Sequence, residues 1–364
     1  MARQLRNILA GFLLVNVVFT TTAQTEIPAN KADVNSWFRN VVKPVSLQKG
    51  TLDPNLVEAE SEGVEIIEVR QDGTGKFKTI SDAVKHVKIG NTKRVIIKIG
   101  PGEYREKVKV DRFKAYVTFY GTDPENMPTI TFSGTASEYG TVDSATLIVM
   151  SDYFVATNII VSNSAPRPSG KKKGQQAVAL RITGDKAAFY NCKFIGFQDT
   201  VCDDKGKHFF KDCYIEGTVD FIFGEGKTLY LNTELHVLSG DHQAFIVAHA
   251  RKTPTGEGGY SFVHCPVTGT GGHGYLGRPW YGASITVYSY CDISGAIRPE
   301  GWDDHFNPES RKVIYFGEYK NTGPGAILTK RVSYAKKLTE VEAKPFINLK
   351  YIDAEKWLLP PPKL

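Results

Sequence analysis

The sequence lacks the patterns that mark several common classes of protein. It contains no Gly-x-Ser-x-Gly, which disfavours a serine hydrolase of the nucleophile-elbow type. Its eight histidines show no metal-ligand spacing, and no glycine loop matches a phosphate cradle, so we predict neither a metal nor a cofactor. No apolar run is long enough to span a membrane. No Asn-x-Ser/Thr acceptor is present, so N-glycosylation is not expected.

Cysteine is scarce, and four of the five cysteines open the same pattern, Cys-x-x-x-Gly. The copies begin at Cys192, Cys213, Cys265 and Cys291. Each has aromatic or β-branched residues around the cysteine and a glycine where the chain turns a corner. Such copies predict successive coils of a solenoid. The cysteines could form an interior ladder or a Cys192–Cys213 disulfide, and the sequence leaves both alternatives open.

Two aspartates occupy the same position in the first two copies, because Asp199 and Asp220 each follow their cysteine by seven residues. In a parallel β-helix neighbouring strands lie ~4.8 Å apart, so the two carboxyl groups would be roughly 5 Å apart. Two carboxylates that close cannot both ionise cheaply, and one is pushed towards its protonated form. The shared register favours a nucleophile beside an acid over two solvated turn residues.

The amino terminus has the pattern of a secretory signal peptide, predicted to cover residues 1–23. Arg3 and Arg6 precede an apolar run over residues 8–19 and small residues up to Ala23. We therefore expect a secreted protein without a membrane span. The formal net charge is +6, and the signal carries two of the positive charges and no acid. A modestly basic, exported chain favours an anionic polysaccharide over nucleic acid as its partner.

The remaining sequence predicts an N-terminal extension over residues 24–63 and one catalytic domain over residues 64–364. Apolar residues at helical spacing between Thr79 and Val87 predict a helix that caps the first coil. From Arg94 onward short strands follow one another, separated by glycine and asparagine. The predicted fold is all-β, a right-handed parallel β-helix with an N-terminal capping helix and a C-terminal tail of helix and loop. A sandwich or barrel is the alternative, which the repeated register disfavours.

Five motifs in order resemble the signature set of plant pectin methylesterases. They are GEYREKV (102–108), QAVALR (176–181), GFQDT (196–200), DFIFG (220–224) and LGRPW (276–280). The resemblance extends from about residue 66 to the closing KWLLPPP, which is similar to pollen-type members without the inhibitor-like pro-region. It implies a secreted, monomeric enzyme of the cell wall, with pectin as substrate and a proteinaceous inhibitor as a further partner.

The resemblance also implies a role for each matching residue. Asp220 would be the nucleophile that forms an acyl-enzyme intermediate, and Asp199 the general acid and then the general base. Gln176 and Gln198 would donate to the oxyanion. Arg278 would hold the Asp220 carboxylate by a forked pair, although an Arg beside an Asp is often only a structural salt bridge.

Three aromatic side chains are predicted to bind the sugar chain. Trp280 and Trp302 match family positions, with a core role as the alternative for each. Tyr139 is expected to replace a phenylalanine that plant relatives carry where this chain has Val142. The segment after Gly224 also departs from the family, and both departures affect subsite preference. Tyr104 and Glu106 are interpreted as structural.

Two other functions remain as alternatives. A polygalacturonase acts on the same polymer, and fragments of its pattern occur at Asp203-Asp204 and at residues 272–274, but its other elements are absent. Two carboxylates about 5 Å apart also occur in glycosidases. The second alternative is a non-catalytic carbohydrate-binding solenoid in which the acids are polar ladder residues. The paired glutamines favour acyl transfer.

Overall fold

A computed structural model describes residues 25–48, 50–61, 63–239 and 242–364. The predicted signal peptide, residues 1–23, lies outside the described residues. Within them the chain winds into three parallel sheets, and each full coil contributes one strand to each sheet. Parallel crossovers of this kind are right-handed. The right-handed parallel β-helix predicted from the sequence is confirmed.

The three sheets are built from short strands, and neighbouring strands of a sheet come from successive coils. The eleven-stranded sheet contains β1 (Glu65–Val69), β2 (Val95–Ile99), β5 (Val117–Gly121), β8 (Val155–Thr157), β11 (Ala187–Tyr190), β14 (Lys207–Lys211), β17 (Lys227–Leu231), β20 (Gly259–Val263), β23 (Ile285–Ser289), β25 (Tyr315–Tyr319) and β26 (Ala335–Lys337). The eight-stranded sheet contains β3 (Glu103–Arg105), β6 (Thr129–Phe132), β9 (Ile160–Asn163), β12 (Lys193–Ile195), β15 (Tyr214–Gly217), β18 (Glu234–Leu238), β21 (Pro266–Thr270) and β24 (Asp292–Ile293). The seven-stranded sheet contains β4 (Val108–Val110), β7 (Leu147–Val149), β10 (Leu180–Ile182), β13 (Val201–Asp203), β16 (Ile222–Gly224), β19 (Ala244–His249) and β22 (Gly274–Pro279).

Helices in the described residues are short and lie outside the coils. The α-helices are α1 (Val34–Val41), α2 (Val45–Gln48), α3 (Pro54–Ser61), α4 (Ile80–His86), α5 (Ala136–Tyr139) and α6 (Glu340–Ala343). The 3₁₀ helices are Lys31–Asp33, Val142–Ser144, Pro308–Lys312, Leu328–Lys330, Leu349–Ile352 and Ala354–Lys356. Among these residues no helix has the length and apolar character needed to cross a membrane.

Helix α4 covers the first coil, as the sequence predicts. The Thr79 side chain caps it by accepting from the Asp82 amide, and the apolar face of α4 packs into the main core. The Glu106 carboxylate accepts from two more amides of the first turn, those of Ile80 at 2.9 Å and Ser81 at 2.8 Å. Tyr104 is buried. The structural interpretation of Tyr104 and Glu106 is therefore confirmed.

The interior is organised as ladders of like side chains. Five rings stack along the eleven-stranded sheet with centroids 4.6 to 4.8 Å apart: Phe189, Phe210, Tyr230, Phe262 and Tyr288. At the next corner lie Cys192, Cys213, Cys265 and Cys291, all buried and free. The structure therefore has the interior ladder rather than the disulfide. Thr233 occupies the cysteine position in the coil between Cys213 and Cys265.

The segment that follows Thr25 and the C-terminal tail cover the outer face of the eleven-stranded sheet. Apolar residues of α1 and α3, such as Phe38 and Leu56, join residues of the tail, such as Trp357, in one buried cluster. Phe38 stacks on Phe209 of the sheet at 5.7 Å between centroids. Residues 25–61 thus share a core with the β-helix and the tail. This layer leaves the outer face of the seven-stranded sheet free for the site.

Candidate active site

The two aspartates of the repeat lie on adjacent coils, each just before a strand of the seven-stranded sheet. Val201 of β13 pairs with Ile222 of β16, which puts Asp199 level with Asp220 and confirms the predicted register. Both residues have left-handed backbone, with φ of 67° and 53°. Aspartate tolerates this conformation better than most residues. The tight turn brings both carboxyl groups to the same edge of the sheet.

Arg278 reaches Asp220 from β22, two strands further along the sheet. Its Nε donates to Oδ1 at 2.8 Å and its Nη2 to Oδ2 at 2.6 Å. The forked pair proposed from the sequence is thus present in the structure. Only 6% of the Asp220 side chain is exposed, so water screens this contact little.

A stack of side chains lies behind Arg278, and the sequence analysis missed it. The guanidinium carbon lies 4.2 Å from the ring centroid of Phe245. Phe245 stacks on Tyr275 at 4.9 Å with an interplanar angle of 4°. The guanidinium carbon of Arg298 lies 4.9 Å from the ring centroid of Tyr275, and Arg298 pairs with Glu300. The stack restricts the rotamers open to Arg278.

Asp199 is the member of the pair that lacks a cation of its own. Burial raises its pKa well above the ordinary value, and the charge of Asp220 raises it further. Arg278 and a hydrogen bond with the Gln198 side chain act in the opposite direction. One acid is therefore held against an arginine while its neighbour is driven towards the protonated form, as the register predicts.

The two glutamines lie on adjacent coils beside the acids. The amide of Ala177 donates to the Gln198 carbonyl at 3.2 Å, which sets Gln176 one coil before Gln198 and offset by one residue. The Gln176 side-chain oxygen is buried and accepts no hydrogen bond within the described part of the chain. The oxygen and nitrogen of a side-chain amide are assigned from their surroundings, and here no neighbour fixes which of the two occupies this place. The end of the Gln176 side chain is therefore free to bond to an atom of a substrate.

The predicted sugar-binding aromatics differ in exposure. Trp280 is 50% exposed, and its ring lies 5.7 Å from His305. Tyr139 is 38% exposed, with Lys107 Nζ 4.4 Å from its ring centroid. Its helix α5 is tied to the Gln176 segment by a hydrogen bond from the Ala136 amide at 2.8 Å.

Trp302 corrects the sequence analysis. It is 1% exposed, stacks on Phe316 at 4.4 Å between centroids, and donates from its indole nitrogen to Glu318 at 3.0 Å. A ring enclosed in this way offers no face to a sugar, so its interpretation as a platform is wrong. The core role, weighed as the alternative, fits the structure.

Val142 is the position at which the sequence analysis predicts the loss of an aromatic contact. It is partly buried against a small apolar cluster on the outer face of the seven-stranded sheet, which includes Ile148, Cys202 and Phe223. Phe223 is itself only half-buried. Val142 therefore packs against the same cluster as the aromatic ring of Phe223.

The described residues contain no group of three or more His, Cys, Asp or Glu side chains that could hold a metal ion. The fragment resembling a polygalacturonase does not face the candidate site. Asp203 is fully buried, bonded to His208 and Tyr230, and Asp204 pairs with Arg181 at 3.0 Å. The groups that the structure brings together at the candidate site are two carboxyl groups, one guanidinium and two glutamines.

Three comparisons with known proteins point to one family. The family model described as Pectinesterase matches residues 66–355. Among curated proteins, Pectinesterase 2 of Olea europaea is 54% identical over 354 residues, which are 97% of this chain and 96% of the relative. Pectin methylesterase from carrot superposes with a TM-score of 0.75 and 32% identity, over 80% of this chain and 94% of its own. A pectin methylesterase in complex with a hexasaccharide has a TM-score of 0.69 and 26% identity, over 82% of this chain and 99% of its own.

Proposed function

The chain belongs to the pectinesterase family, and on that premise we propose how its residues hydrolyse the methyl esters of pectin. It is a pectinesterase: its reaction converts methylated homogalacturonan and water into pectate and methanol. The observation that carries the residue assignments is the fork from Arg278 to Asp220 beside the buried carboxyl group of Asp199.

Asp220 is the nucleophile of the first step. One of its carboxylate oxygens bonds to the ester carbonyl carbon, and the electrons of the C=O bond move to the carbonyl oxygen. Arg278 supports this role because it aims the carboxylate and stabilises its charge at 2.6 and 2.8 Å. When the tetrahedral intermediate collapses, the bond to the methoxy oxygen breaks and an anhydride joins Asp220 to the galacturonate.

Asp199 moves the protons of both steps. It gives its proton to the departing methoxy oxygen, so methanol leaves neutral. It then accepts a proton from the water that attacks the acyl carbon, and Asp220 leaves as a carboxylate. The raised pKa of Asp199, caused by burial and by the charge of Asp220, supports the acid role because the group is protonated in the resting enzyme over a wider pH range.

Gln176 and Gln198 stabilise the oxyanion of both tetrahedral states. The support is their position on adjacent coils beside the acids. The Gln176 side-chain oxygen has no hydrogen-bond partner in the described residues, so no contact prevents the amide from turning its nitrogen to the same place. Trp280 and Tyr139 bind the sugar chain on either side, since both rings are exposed. Trp302 acts only in the core.

The residue assignments are tested with the Asp220→Asn variant on highly methylated pectin. We expect methanol without new reducing ends from the wild type, and a loss of at least about a thousandfold in the variant. Asp212→Asn is the matched control, because Asp212 is another left-handed aspartate, at a different corner of the coil. It should keep full activity.

Each rival function predicts a different result of the same assay. New reducing ends would support the polygalacturonase, and pectin binding without release of either product would support the binding solenoid. Methanol release that survives Asp220→Asn would remove Asp220 from the mechanism while leaving the esterase activity in place.

We also propose that residues 1–23 are a secretory signal, that residues 24–63 extend a catalytic domain at 64–364, and that the monomeric enzyme acts in the cell wall. The modest positive charge and the plant relatives support this location. A pollen-type role and control by a proteinaceous inhibitor follow from the closing KWLLPPP and the family resemblance. Amino-terminal sequencing of the exported protein should begin at Gln24.

A further inference from the structure

A cavity lies at the opposite edge of the seven-stranded sheet from the two aspartates. It encloses about 910 Å³ and is lined by the turns that follow β4, β7, β10, β13, β16 and β19. The candidate active site lies where strands β13 and β16 begin, whereas this cavity lies where they end. None of the predicted site residues lines it. The molecule therefore offers two separate surfaces on one sheet.

Basic side chains dominate the lining of this cavity, which we call the basic groove. Its six basic residues are Arg112, Lys205, Lys207, Lys227, Arg251 and Lys252. They come from four coils, the first after β4 and the last after β19. Coils rise ~4.8 Å, so these charges extend along the helix axis over roughly 24 Å. The charges form a row rather than a single point.

Most of these cations lack a carboxylate partner. Lys207 pairs with Asp353 at 2.7 Å and Lys252 with Glu225 at 2.8 Å. Within the described ranges no carboxylate lies within 4 Å of the charged groups of Arg112, Lys205, Lys227 and Arg251. The Nε of Arg251 is also buried without a hydrogen-bond partner among these residues. Its other nitrogens donate to the backbone carbonyls of Ala283 and Pro254, which fixes the Arg251 side chain at the wall of the groove.

The acidic residues of the groove are largely engaged in other contacts. Four of them line it. Asp152 accepts from the Asp185 amide at 2.8 Å, and Asp185 accepts from the Lys207 amide at 2.9 Å. Burial raises the pKa of Asp152 above its ordinary value. Glu225 is paired with Lys252. Glu257, the fourth acid, is exposed, so six basic side chains face four acidic ones and the groove keeps a net positive charge.

We propose that the basic groove binds de-esterified homogalacturonan, the polyanionic product of the reaction, as a second polysaccharide site. A linear polymer with one carboxylate on each sugar matches a row of cations along the axis, whereas a small anion would need only one cluster of donors. The identity of the polymer rests on the proposed function. Binding at this edge keeps the enzyme on a chain it has already converted while the active site stays open to methylated segments.

The test measures binding of a fully de-esterified oligogalacturonide of about ten sugars by isothermal titration calorimetry. The groove variant is Arg112→Gln/Lys205→Gln/Lys227→Gln in the full exported chain. The control variant Lys88→Gln/Lys193→Gln/Lys330→Gln removes the same charge from exposed lysines elsewhere. We expect the groove variant to bind at least about fivefold more weakly and the control less than about twofold.

Methanol release from a short methylated oligosaccharide, too short to reach both surfaces, should be unchanged in both variants and reports that they are folded. Equal weakening in the two variants would overturn the proposal, because net charge alone would explain it. Unchanged affinity in the groove variant would assign all binding to the active-site cleft and also overturn it. A wild-type chain that binds the oligomer through the groove but releases no methanol would leave the groove standing and remove the esterase mechanism.

Discussion

Two buried acidic clusters lie at opposite ends of strand β13, and they differ in how their polar atoms are satisfied. At its carboxyl end Asp203 has both oxygens engaged, with His208 Nδ1 at 2.5 Å and the Tyr230 hydroxyl at 2.6 Å. At its amino end Asp199 lies beside the carboxylate of Asp220, and Arg278 makes its forked pair with Asp220. The first cluster is complete without a ligand, and the second is not.

The difference shows that burial of an acid does not by itself mark a site. Asp203 is more deeply buried than Asp199, yet its network uses every strong acceptor and can only rigidify the interior. Asp199 is held at an energetic disadvantage by a like charge, which is the condition expected of a catalytic acid. The two clusters should therefore respond oppositely to removal of the charge.

The largest effect on stability is expected from Asp203→Asn, which should lower the free energy of unfolding. The amide can accept at one oxygen only, so either His208 or Tyr230 loses its acceptor in the fully buried cluster. Breaking a buried pair of this kind costs about 3 kcal/mol. Denaturant unfolding measures the loss, while kcat of the folded variant should stay near the wild-type value.

Asp204→Asn is the matched control for that measurement. Asp204 is the next residue in sequence, its side chain is 33% exposed, and its pair with Arg181 is accessible to solvent. Its loss should cost less than about 1 kcal/mol. Equal destabilisation by the two variants would contradict the view that the Asp203 network holds the interior together.

The repeated Cys-x-x-x-Gly pattern predicted more of this fold than any single motif did. Asp199 and Asp220 follow their cysteines by the same number of residues, and the two coils have no insertion relative to each other in this segment. The equal spacing therefore predicted that the two acids are in register. The same reasoning missed Thr233, since a threonine can replace cysteine in a ladder of small side chains without keeping the pattern. The repeat also did not predict the layer that α1, α3 and the C-terminal tail form on the eleven-stranded sheet, because contacts between distant segments leave no periodic pattern in the sequence.

The sequence predicted the parts of the candidate site that depend on which residues lie on adjacent coils. It did not predict the parts that depend on the direction in which a side chain points. Trp302 matched a family position, but the sequence does not state which way a ring points after a glycine turn, and this ring points into the core. The stack of Phe245 on Tyr275 joins residues about thirty positions apart, and only the pairing of β19 with β22 brings them together.

Asp199→Asn should change stability less than Asp203→Asn and in the opposite direction. The folded-state pKa of Asp199 is raised by burial and by Asp220, so its contribution to stability is present when it is protonated and lost as pH rises through that value. Asparagine carries no such penalty. The variant's advantage in melting temperature over the wild type should therefore grow from pH 4 towards neutral pH, while activity is lost. A difference that shrinks over this range would contradict the charge assignment at the site.

The smallest effect is expected from Phe245→Leu, which leaves both acids and Arg278 in place. The guanidinium loses the ring face 4.2 Å away, so Arg278 samples rotamers that no longer hold Asp220 in line. A cation–π contact of this size corresponds to about a fivefold fall in kcat with KM little changed. Phe245→Tyr keeps the ring face and should restore the rate. Phe262→Leu, in the interior stack, is the control: it should lower the melting temperature and leave kcat unchanged. If Phe245→Leu behaves like Phe262→Leu, the stack belongs with the complete cluster at the other end of β13 and has no part in positioning Arg278.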